Sequence, residues 1–322
     1  MNSFRSALVT GATGFLGSAL VEHLLARGVE TLCLIRPKST VQSRRLPSAA
    51  RAIEVSSFTA SELKSKLAGV NADVVFNLAS YGVQQADRDP AKLIQGNVGL
   101  LASLLEATAS WPLRRFVHVG SCSEYGFPDS ENVPITEMQP LRPTSLYGAA
   151  KAASVLFGSA LASQLHIPFV TLRLFGVFGP HESPDRVVPY LIRKLRKNEP
   201  VDLTPGEQVR DFLYEDDMME AFVAAAESSA IKQCEVYNVC SGRPTRVREI
   251  GEAVADALAK PRQLLHWGER PYRADEPMWL VGDNRRFRAA TSWHPRTNVE
   301  EGIRRMIAIS AGEKRSEHQH AF

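Results

Sequence analysis

The sequence predicts an α/β protein built on a doubly wound parallel sheet. Short β-type runs alternate with helix-length segments along most of the 322 residues, which is the pattern of a sheet covered by helices. Three glycines, Gly11, Gly14 and Gly17, follow the first strand-like run and open the first helical one. A tyrosine stands four residues before a lysine, Tyr147 and Lys151, in an alanine-rich helical segment. Together these observations predict a sheet of the Rossmann type.

Apolar runs and apolar residues at helical spacing define the individual elements. The predicted strands are 6–10, 31–35, 73–78, 115–120, 168–174 and 235–239. The predicted helices are 15–27, 98–109, 145–165, 185–197, 216–228, 246–259 and 299–310. Residues 127–143 and 262–284 are expected to be irregular.

Composition and charge argue against several classes of protein. Hydrophobic content of 44% and charged content of 23% are ordinary for a globular chain. A net charge of +3 is too small to indicate a nucleic acid or an acidic membrane as partner. No apolar run reaches the roughly 18 residues of a membrane span, and a strand begins too early for a signal peptide. The four cysteines lack C-x-x-C spacing, so we expect a reduced cytoplasmic protein without a metal site.

The glycine-rich turn predicts a dinucleotide site. Its glycines permit a tight turn, close approach of the backbone to a pyrophosphate, and close packing of helix on strand. The N–H groups of the helix that follows then face the phosphates. The predicted contacts are Gly11, Thr13, Gly14, Phe15, Leu16 and Gly17.

The end of the second strand indicates which dinucleotide is bound. A carboxylate there hydrogen-bonds the 2′-hydroxyl of NAD, whereas an arginine accommodates the 2′-phosphate of NADP. The strand 31–35 is followed by Arg36 and Lys38, and no acidic residue is near. The prediction is therefore NADP, supplied as NADPH, with NAD as the second choice.

Tyr147 and Lys151 have the spacing of a proton-transfer pair. On a helix, positions i and i+4 lie on one face. We expect the ammonium to lie near the phenol and to lower its pKa by favouring the phenolate. A hydrophobic run that ends in Ser121 precedes the pair.

With these motifs in this order, residues 5–310 resemble the extended short-chain dehydrogenase/reductase family, and most closely its nucleotide-sugar epimerases, dehydratases and 4-ketoreductases. The segments that carry the resemblance are Asn77–Ser80, Asn97, Arg173–Pro180, Gly206–Tyr214, Trp293–Pro295 and Val299–Gly302. The resemblance implies an NADP-binding domain of residues 1–174 plus 212–241. It also implies a smaller C-terminal α/β domain of 175–211 plus 242–310, which binds a nucleotide-sugar, and the polar residues 311–322 are expected to form a flexible tail.

The resemblance also assigns roles at the cofactor. It implies cofactor contacts at Leu78, Ala79, Ser80 and Asn97, in addition to Tyr147 and Lys151. The catalytic set is Ser121, Tyr147 and Lys151: the tyrosine transfers a proton, the lysine holds the nicotinamide ribose, and the serine hydrogen-bonds the sugar oxygen. Relatives often form homodimers through the helix with the Tyr–Lys pair and its neighbour, so a homodimer is expected.

The substrate contacts implied by the resemblance are Tyr81, Cys122, Ser123, Gly176, Arg210, Arg270, Arg273 and Glu276. Guanidinium groups suit a sugar-nucleotide diphosphate. The alternative for Arg210 is surface pairing with Asp211, Glu269 or Glu276, and for Arg270 and Arg273 the two readings are balanced. Tyr81 fits an aromatic core role equally well, and Cys122 fits a small packed residue. Many relatives have asparagine at the position of Gly176, which indicates a different sugar contact.

The segment after Ser121 favours one reaction over the others. A 4,6-dehydratase needs an additional acid/base side chain, and the family's dehydratases place a glutamate soon after the Ser or Thr. Glu124 is one position late, which in an extended segment turns it to the opposite face. The alternative is a one-residue deletion before Tyr125, which would restore Glu124 to the acid/base position. Gly120–Gly126 resembles GDP-4-keto-6-deoxymannose reductases, and the segments at 206–212 and 270–276 resemble CDP-abequose and CDP-paratose synthases. The prediction is an NADPH-dependent 4-ketoreductase, with a 4-epimerase or 4,6-dehydratase as the alternative.

Overall fold

A computed structural model of the protein describes residues 4–37, 46–83, 87, 89–128, 132–273 and 276–310. Lys38 and the predicted tail 311–322 lie outside the described residues. None of the helices within these ranges is both long and apolar enough to cross a membrane.

The strands follow one another along the chain with helices between most of them. They are β1 (Ser6–Thr10), β2 (Glu30–Ile35), β3 (Arg51–Glu54), β4 (Val74–Asn77), β5 (Arg115–Ser121), β6 (Phe169–Leu174), β7 (Gly176–Phe178), β8 (Val201–Leu203), β9 (Val209–Tyr214), β10 (Glu235–Val239), β11 (Pro244–Arg246), β12 (Leu265–Trp267) and β13 (Trp279–Leu280). The α-helices are α1 (Phe15–Ala26), α2 (Ala60–Lys66), α3 (Pro90–Ile94), α4 (Leu100–Thr108), α5 (Leu146–Gln164), α6 (Val187–Arg196), α7 (Glu215–Glu227), α8 (Val247–Ala257), α9 (Arg285–Thr291) and α10 (Val299–Ser310).

The main sheet has seven described strands in the order β10-β6-β5-β4-β1-β2-β3. All of its neighbouring strands are parallel. The order changes direction at β1, because β2 and β3 lie on one side of it and β4, β5 and β6 on the other. The crevice at the carboxyl ends of the strands at such a point is where doubly wound sheets bind ligands. The predicted Rossmann-type α/β fold is confirmed.

Alternating side chains place β1 between two apolar layers. Ala7 and Val9 pack with Leu20 of α1 on one face, and Leu8 packs with Leu104 of α4 on the other. Successive residues of a strand point to opposite faces, so helices on both sides bury every position. This double burial explains the nearly continuous apolar runs by which the central strands were predicted.

A second set of strands lies in the C-terminal half. β9 pairs with β7, β11 and β13, and β8 pairs with β12. A separate apolar cluster, including Phe178, Leu191, Tyr214, Val254 and Ile303, packs in this part of the chain. The exact division into two domains remains a prediction.

Ten of the described strands and helices were not predicted from the sequence: β3, α2 and α3 in the N-terminal half, and β7, β8, β9, β11, β12, β13 and α9 in the C-terminal half. β3 is a sheet-edge strand whose residues are exposed or partly exposed, so it has no buried apolar run. α2 has only seven residues and begins at the capping residue Thr59, and α3 has only five. The stretch 262–284, expected to be irregular, contains the short strands β12 and β13.

Candidate active site

The turn after β1 has room only for glycine at two positions. Gly11 has φ +68°, and a Cβ atom there would lie 2.8 Å from the Ala79 nitrogen. A Cβ atom on Gly17 would lie 2.0 Å from the Gly11 carbonyl oxygen. The N-cap of α1 is Gly14, which supplies no side-chain hydrogen bond to the first turn. The exposed backbone at this helix N-terminus therefore fits the pyrophosphate of a dinucleotide.

Arg36 directly follows β2 and is exposed to solvent. β2 lies beside β1, so the arginine is at the carboxyl edge of the sheet, as is the glycine turn. This placement is compatible with the predicted contact to a 2′-phosphate, which stays a prediction.

Asn97 anchors the segment that follows β4. It is 2% exposed and lies in a π-helical turn, Gln95–Gly99, a rare element that is frequent at functional sites. Its amide donates hydrogen bonds to the carbonyl oxygens of Tyr81 (3.0 Å) and Leu93 (2.8 Å), and it accepts one from the Ser80 hydroxyl (2.8 Å). Tyr81 is partly buried, with its Cβ atom close to Gly96.

Tyr147 lies in the first turn of α5, beside two serines that were predicted to belong to the site, Ser80 and Ser121. The side chains of Ser80 and Ser121 hydrogen-bond its phenol, which lowers its pKa, but burial has the larger effect and raises it. The net pKa lies above the usual value of 10.0. The expectation that the phenol pKa is lowered is therefore wrong for this structure, because desolvation disfavours the phenolate. The group is well suited to hold its proton until a substrate oxygen takes it.

Lys151 is 2% exposed, and its ammonium donates a hydrogen bond to the carbonyl oxygen of Val119 in β5. Burial lowers the pKa of Lys151 to about 8, although the charge of Glu124 acts in the opposite direction. The helix thus places Tyr147 beside Ser80, which follows β4, and Ser121, at the end of β5, and it places Lys151 against Val119 of β5.

Both oxygens of the Glu124 carboxylate have partners within the protein. Residues Cys122–Glu124 form a 3₁₀ turn, not the extended segment that was expected. The Glu124 carboxylate accepts a hydrogen bond from the Ser121 backbone N–H (2.7 Å) and forms a 2.6 Å ion pair with Nε of Arg173. Both side chains are buried, at 0% and 5% exposure. A capping box and a buried ion pair therefore hold the Glu124 carboxylate, and its placement away from a catalytic position stays a prediction.

Cys122 and Ser123 offer no strong acid or base. Burial raises the pKa of Cys122 to about 12, and the side chain packs in a cluster with Tyr125 and Phe175. The backbone of Ser123 lies close to α5, since a Cβ atom on Gly148 would be 2.3 Å from its carbonyl oxygen.

Two of the three predicted phosphate-binding arginines meet at one carboxylate. Nη2 of Arg210 binds Oε1 of Glu276, and Arg273 donates to Oε2 through Nε (3.1 Å) and Nη2 (2.9 Å). Arg270 is exposed, and its backbone N–H bonds Leu203. The alternative of pairing between Arg210 and Glu276 is thus present, and a diphosphate role for either arginine stays a prediction.

Gly176 lies at the start of β7 with no room for a side chain. A Cβ atom there would lie 2.3 Å from the Asp211 carbonyl oxygen. An asparagine at this position therefore requires a shift of β9, and the different sugar contact stays a prediction.

The sequence analysis did not single out His118 of β5 or Ser154 of α5, two buried residues whose side chains hydrogen-bond each other. The available signal was a histidine inside the otherwise apolar run of β5.

Comparisons with known proteins agree with this architecture. A UDP-glucose 4-epimerase of Mycolicibacterium smegmatis is 29% identical over 310 residues, covering 93% of this chain and 96% of that protein. A dTDP-glucose 4,6-dehydratase of Xanthomonas campestris is 28% identical over 327 residues, covering 92% and 90%. The crystal structure of a Thermus thermophilus UDP-glucose 4-epimerase in complex with NAD has a TM-score of 0.84 at 27% identity, covering 95% of this chain and 99% of that one.

The sequence profile of the NAD dependent epimerase/dehydratase family matches residues 7–240, from β1 to the end of β10. This range includes the glycine turn, the Tyr147–Lys151 pair and Arg210. The chain belongs to the NAD dependent epimerase/dehydratase family.

Proposed function

We propose that this protein is an NADPH-dependent reductase of the 4-keto group of a nucleotide-linked 4-keto-6-deoxy sugar. Tyr147 gives the proton to the sugar oxygen, Ser121 hydrogen-bonds that oxygen, and Lys151 holds the cofactor ribose. The bound nicotinamide supplies the hydride. Arg210 and Arg273 are the proposed ligands of the substrate diphosphate, with Glu276 between them. Reduction needs one hydride and one proton, which this set provides.

The occupation of Glu124 is the observation that carries the proposal. A dehydratase must also remove a proton and expel a hydroxyl, which requires another acid/base group. Both carboxylate oxygens of Glu124 have structural partners, and the pKa of Cys122 is raised to about 12. Reduction of a keto group requires neither Glu124 nor Cys122 as an acid or base.

The test is consumption of NADPH with 4-keto-6-deoxy sugars carried on CDP, GDP, dTDP and UDP. We expect stoichiometric oxidation of the cofactor and formation of a deoxysugar nucleotide with at least one of the four. No oxidation with any of them would contradict the proposed reaction.

A 4-epimerase is the second candidate, because relatives covering nearly the whole chain have this activity by name. An epimerase returns the hydride to the sugar and consumes no cofactor. Interconversion of UDP-glucose and UDP-galactose without added NADPH would favour this candidate over the reductase.

Replacing Arg36 by aspartate is expected to reverse the preference between cofactors. A charge-assisted hydrogen bond contributes about 1.5–3 kcal/mol, which corresponds to roughly 10- to 100-fold weaker NADPH binding. NADH binding should be unchanged or tighter. The control is Arg51→Asp, which makes the same charge change at the start of β3, where Arg51 pairs with Leu32 near the amino end of β2. Tighter binding of NADH than NADPH by the unaltered protein would overturn the assignment of NADP.

Binding of NADPH should weaken as the pH rises through about 8. The folded-state pKa of Lys151 is about 8, below its ordinary value of 10.5, so its ammonium is present below pH 8 and lost above it. The cofactor phosphates and ribose hydroxyls favour the charged form. A titration of NADPH affinity against pH measures the effect, and affinity that is flat across this range would exclude the proposed role of Lys151.

A homodimer through α4 and α5 is also proposed. Leu156 and Phe157 of α5 are 65% and 52% exposed, an unusual degree for large apolar side chains on a helix. We expect Leu156→Glu to shift a dimer to monomer in sedimentation experiments. Met138→Glu is the control, since Met138 is 83% exposed and lies in the loop before α5, outside both helices. A monomeric unaltered protein would contradict the proposed assembly.

A further inference from the structure

A chain of buried polar side chains joins the end of β1 to the catalytic helix. Thr10, Asn77, His118 and Ser154 are each at most 1% exposed. Thr10 accepts a hydrogen bond from the Ala79 N–H (3.1 Å) and donates to Oδ1 of Asn77 (2.7 Å). Nδ2 of Asn77 lies 3.1 Å from Nδ1 of His118, and Nε2 of His118 lies 3.1 Å from the Ser154 hydroxyl.

The hydrogen bond from Ser154 to Lys151 determines the direction of the bonds that His118 makes. The Ser154 hydroxyl donates its only hydrogen to the carbonyl oxygen of Lys151 (2.8 Å), so it can only accept from His118. His118 must therefore have its proton on Nε2, which leaves Nδ1 as the acceptor for the Asn77 amide. A second proton on His118 would face the amide donor, and burial together with Lys151 lowers the histidine pKa well below 6.5.

β5 contacts the turn of α5 around Lys151 at two consecutive residues. The His118 side chain reaches Ser154, and the Val119 carbonyl oxygen accepts from the Lys151 ammonium. At the other end, Ala79 is the residue whose nitrogen lies against Gly11 in the glycine turn. The polar chain therefore connects the backbone that approaches the dinucleotide with the helix that presents Lys151.

We propose that neutral His118 and Ser154 are positioning residues, which hold Lys151 in register with the glycine turn through this chain. Loss of the Ser154 hydroxyl leaves His118 without its acceptor and removes the side-chain link between β5 and the turn of α5 that contains Lys151. This turn can then shift relative to β5 and move the Lys151 ammonium out of the position that suits the cofactor ribose. The proposal rests on the nicotinamide-cofactor binding of the proposed function and not on the reaction.

The test compares Ser154→Ala with Thr108→Val. Thr108 is also a fully buried helix hydroxyl that donates to a carbonyl of the preceding turn, that of Leu104 (2.9 Å), but it lies in α4 outside the chain. Both variants should lose thermal stability. Only Ser154→Ala should weaken NADPH or NADH binding, by about tenfold, as expected when a supporting contact of a ligand-binding group is removed.

Unchanged cofactor affinity in Ser154→Ala, or equal weakening in both variants, would overturn the proposal. Because fluorescence titration with NADPH or NADH needs no sugar, a failure here is distinct from a failure of the proposed reduction. If Ser154→Ala does not fold, a measurement on the unaltered protein still tests the proposal. Nitrogen NMR of labelled histidine, assigned by the signals lost in His118→Asn, should show a neutral His118 protonated on Nε2, and an imidazolium or an Nδ1–H form would refute the proposed chain.

Discussion

Tyr147→Phe is expected to lower turnover by about 10²- to 10⁴-fold, the contribution of a positioned general acid. The substitution removes only the phenolic hydroxyl, which Ser80 and Ser121 hydrogen-bond. Because the pKa of Tyr147 is raised, the phenol has its proton at neutral pH. A change of pH should therefore not restore the turnover that the variant loses. Steady-state rates with the keto-sugar substrate measure the effect.

NADPH binding should remain in this variant, because the cofactor contacts proposed at the glycine turn, Arg36 and Lys151 are unchanged. Loss of turnover with retained NADPH affinity separates the chemical step from binding. A Tyr147→Phe protein that keeps full turnover would contradict the assignment of the proton donor, and one that fails to bind NADPH would show that the hydroxyl contributes to cofactor binding or to the fold.

Glu124→Gln is expected to destabilise the fold by about 3–5 kcal/mol, because removing one partner of a buried ion pair leaves the other charge uncompensated. The remaining charge is Arg173, 4% exposed, whose Nε–H would then face an amide. Arg173 also donates to the Tyr125 hydroxyl (3.0 Å), so the disturbance reaches the segment after Ser121. Denaturant unfolding measures the loss of stability.

Asp256→Asn is the matched control, since it makes the same carboxylate-to-amide change in an exposed pair with Arg262 and should alter stability little. Adding Arg173→Met to Glu124→Gln removes the uncompensated charge and should restore part of the stability. A Glu124→Gln protein with unaltered stability but no turnover would instead identify Glu124 as an acid/base group and favour a dehydratase.

The main sheet could be predicted because its strands are buried on both faces and read as apolar runs. β1 and β10 were placed at their observed bounds, Ser6–Thr10 and Glu235–Val239. β3 was missed because an edge strand has exposed side chains and needs no such run. The short strands around β9 depend on pairing between distant segments, which local patterns do not record.

The glycine turn was predictable because backbone contacts require glycine at two of its positions, Gly17 within the turn and Gly11 against the residues that follow β4. The pKa of Tyr147 was predicted in the wrong direction because its burial depends on the segments that fold over α5. The polar chain through His118 and Ser154 joins residues 36 positions apart, and Glu276 meets Arg210 across 66 positions. Contacts of this range become visible only when the fold brings the segments together.

Transfer of deuterium from NADPH labelled at C4 of the nicotinamide tests the proposed reduction most directly. Two preparations of NADPH, with deuterium on one or the other face of C4, are each incubated with the 4-keto-6-deoxy sugar nucleotide that the protein turns over. The proposed function predicts one deuterium at C4 of the product sugar for each NADPH oxidised. A product without deuterium, formed with no net oxidation of NADPH, would contradict the reductase and favour an epimerase or dehydratase that recycles its own hydride.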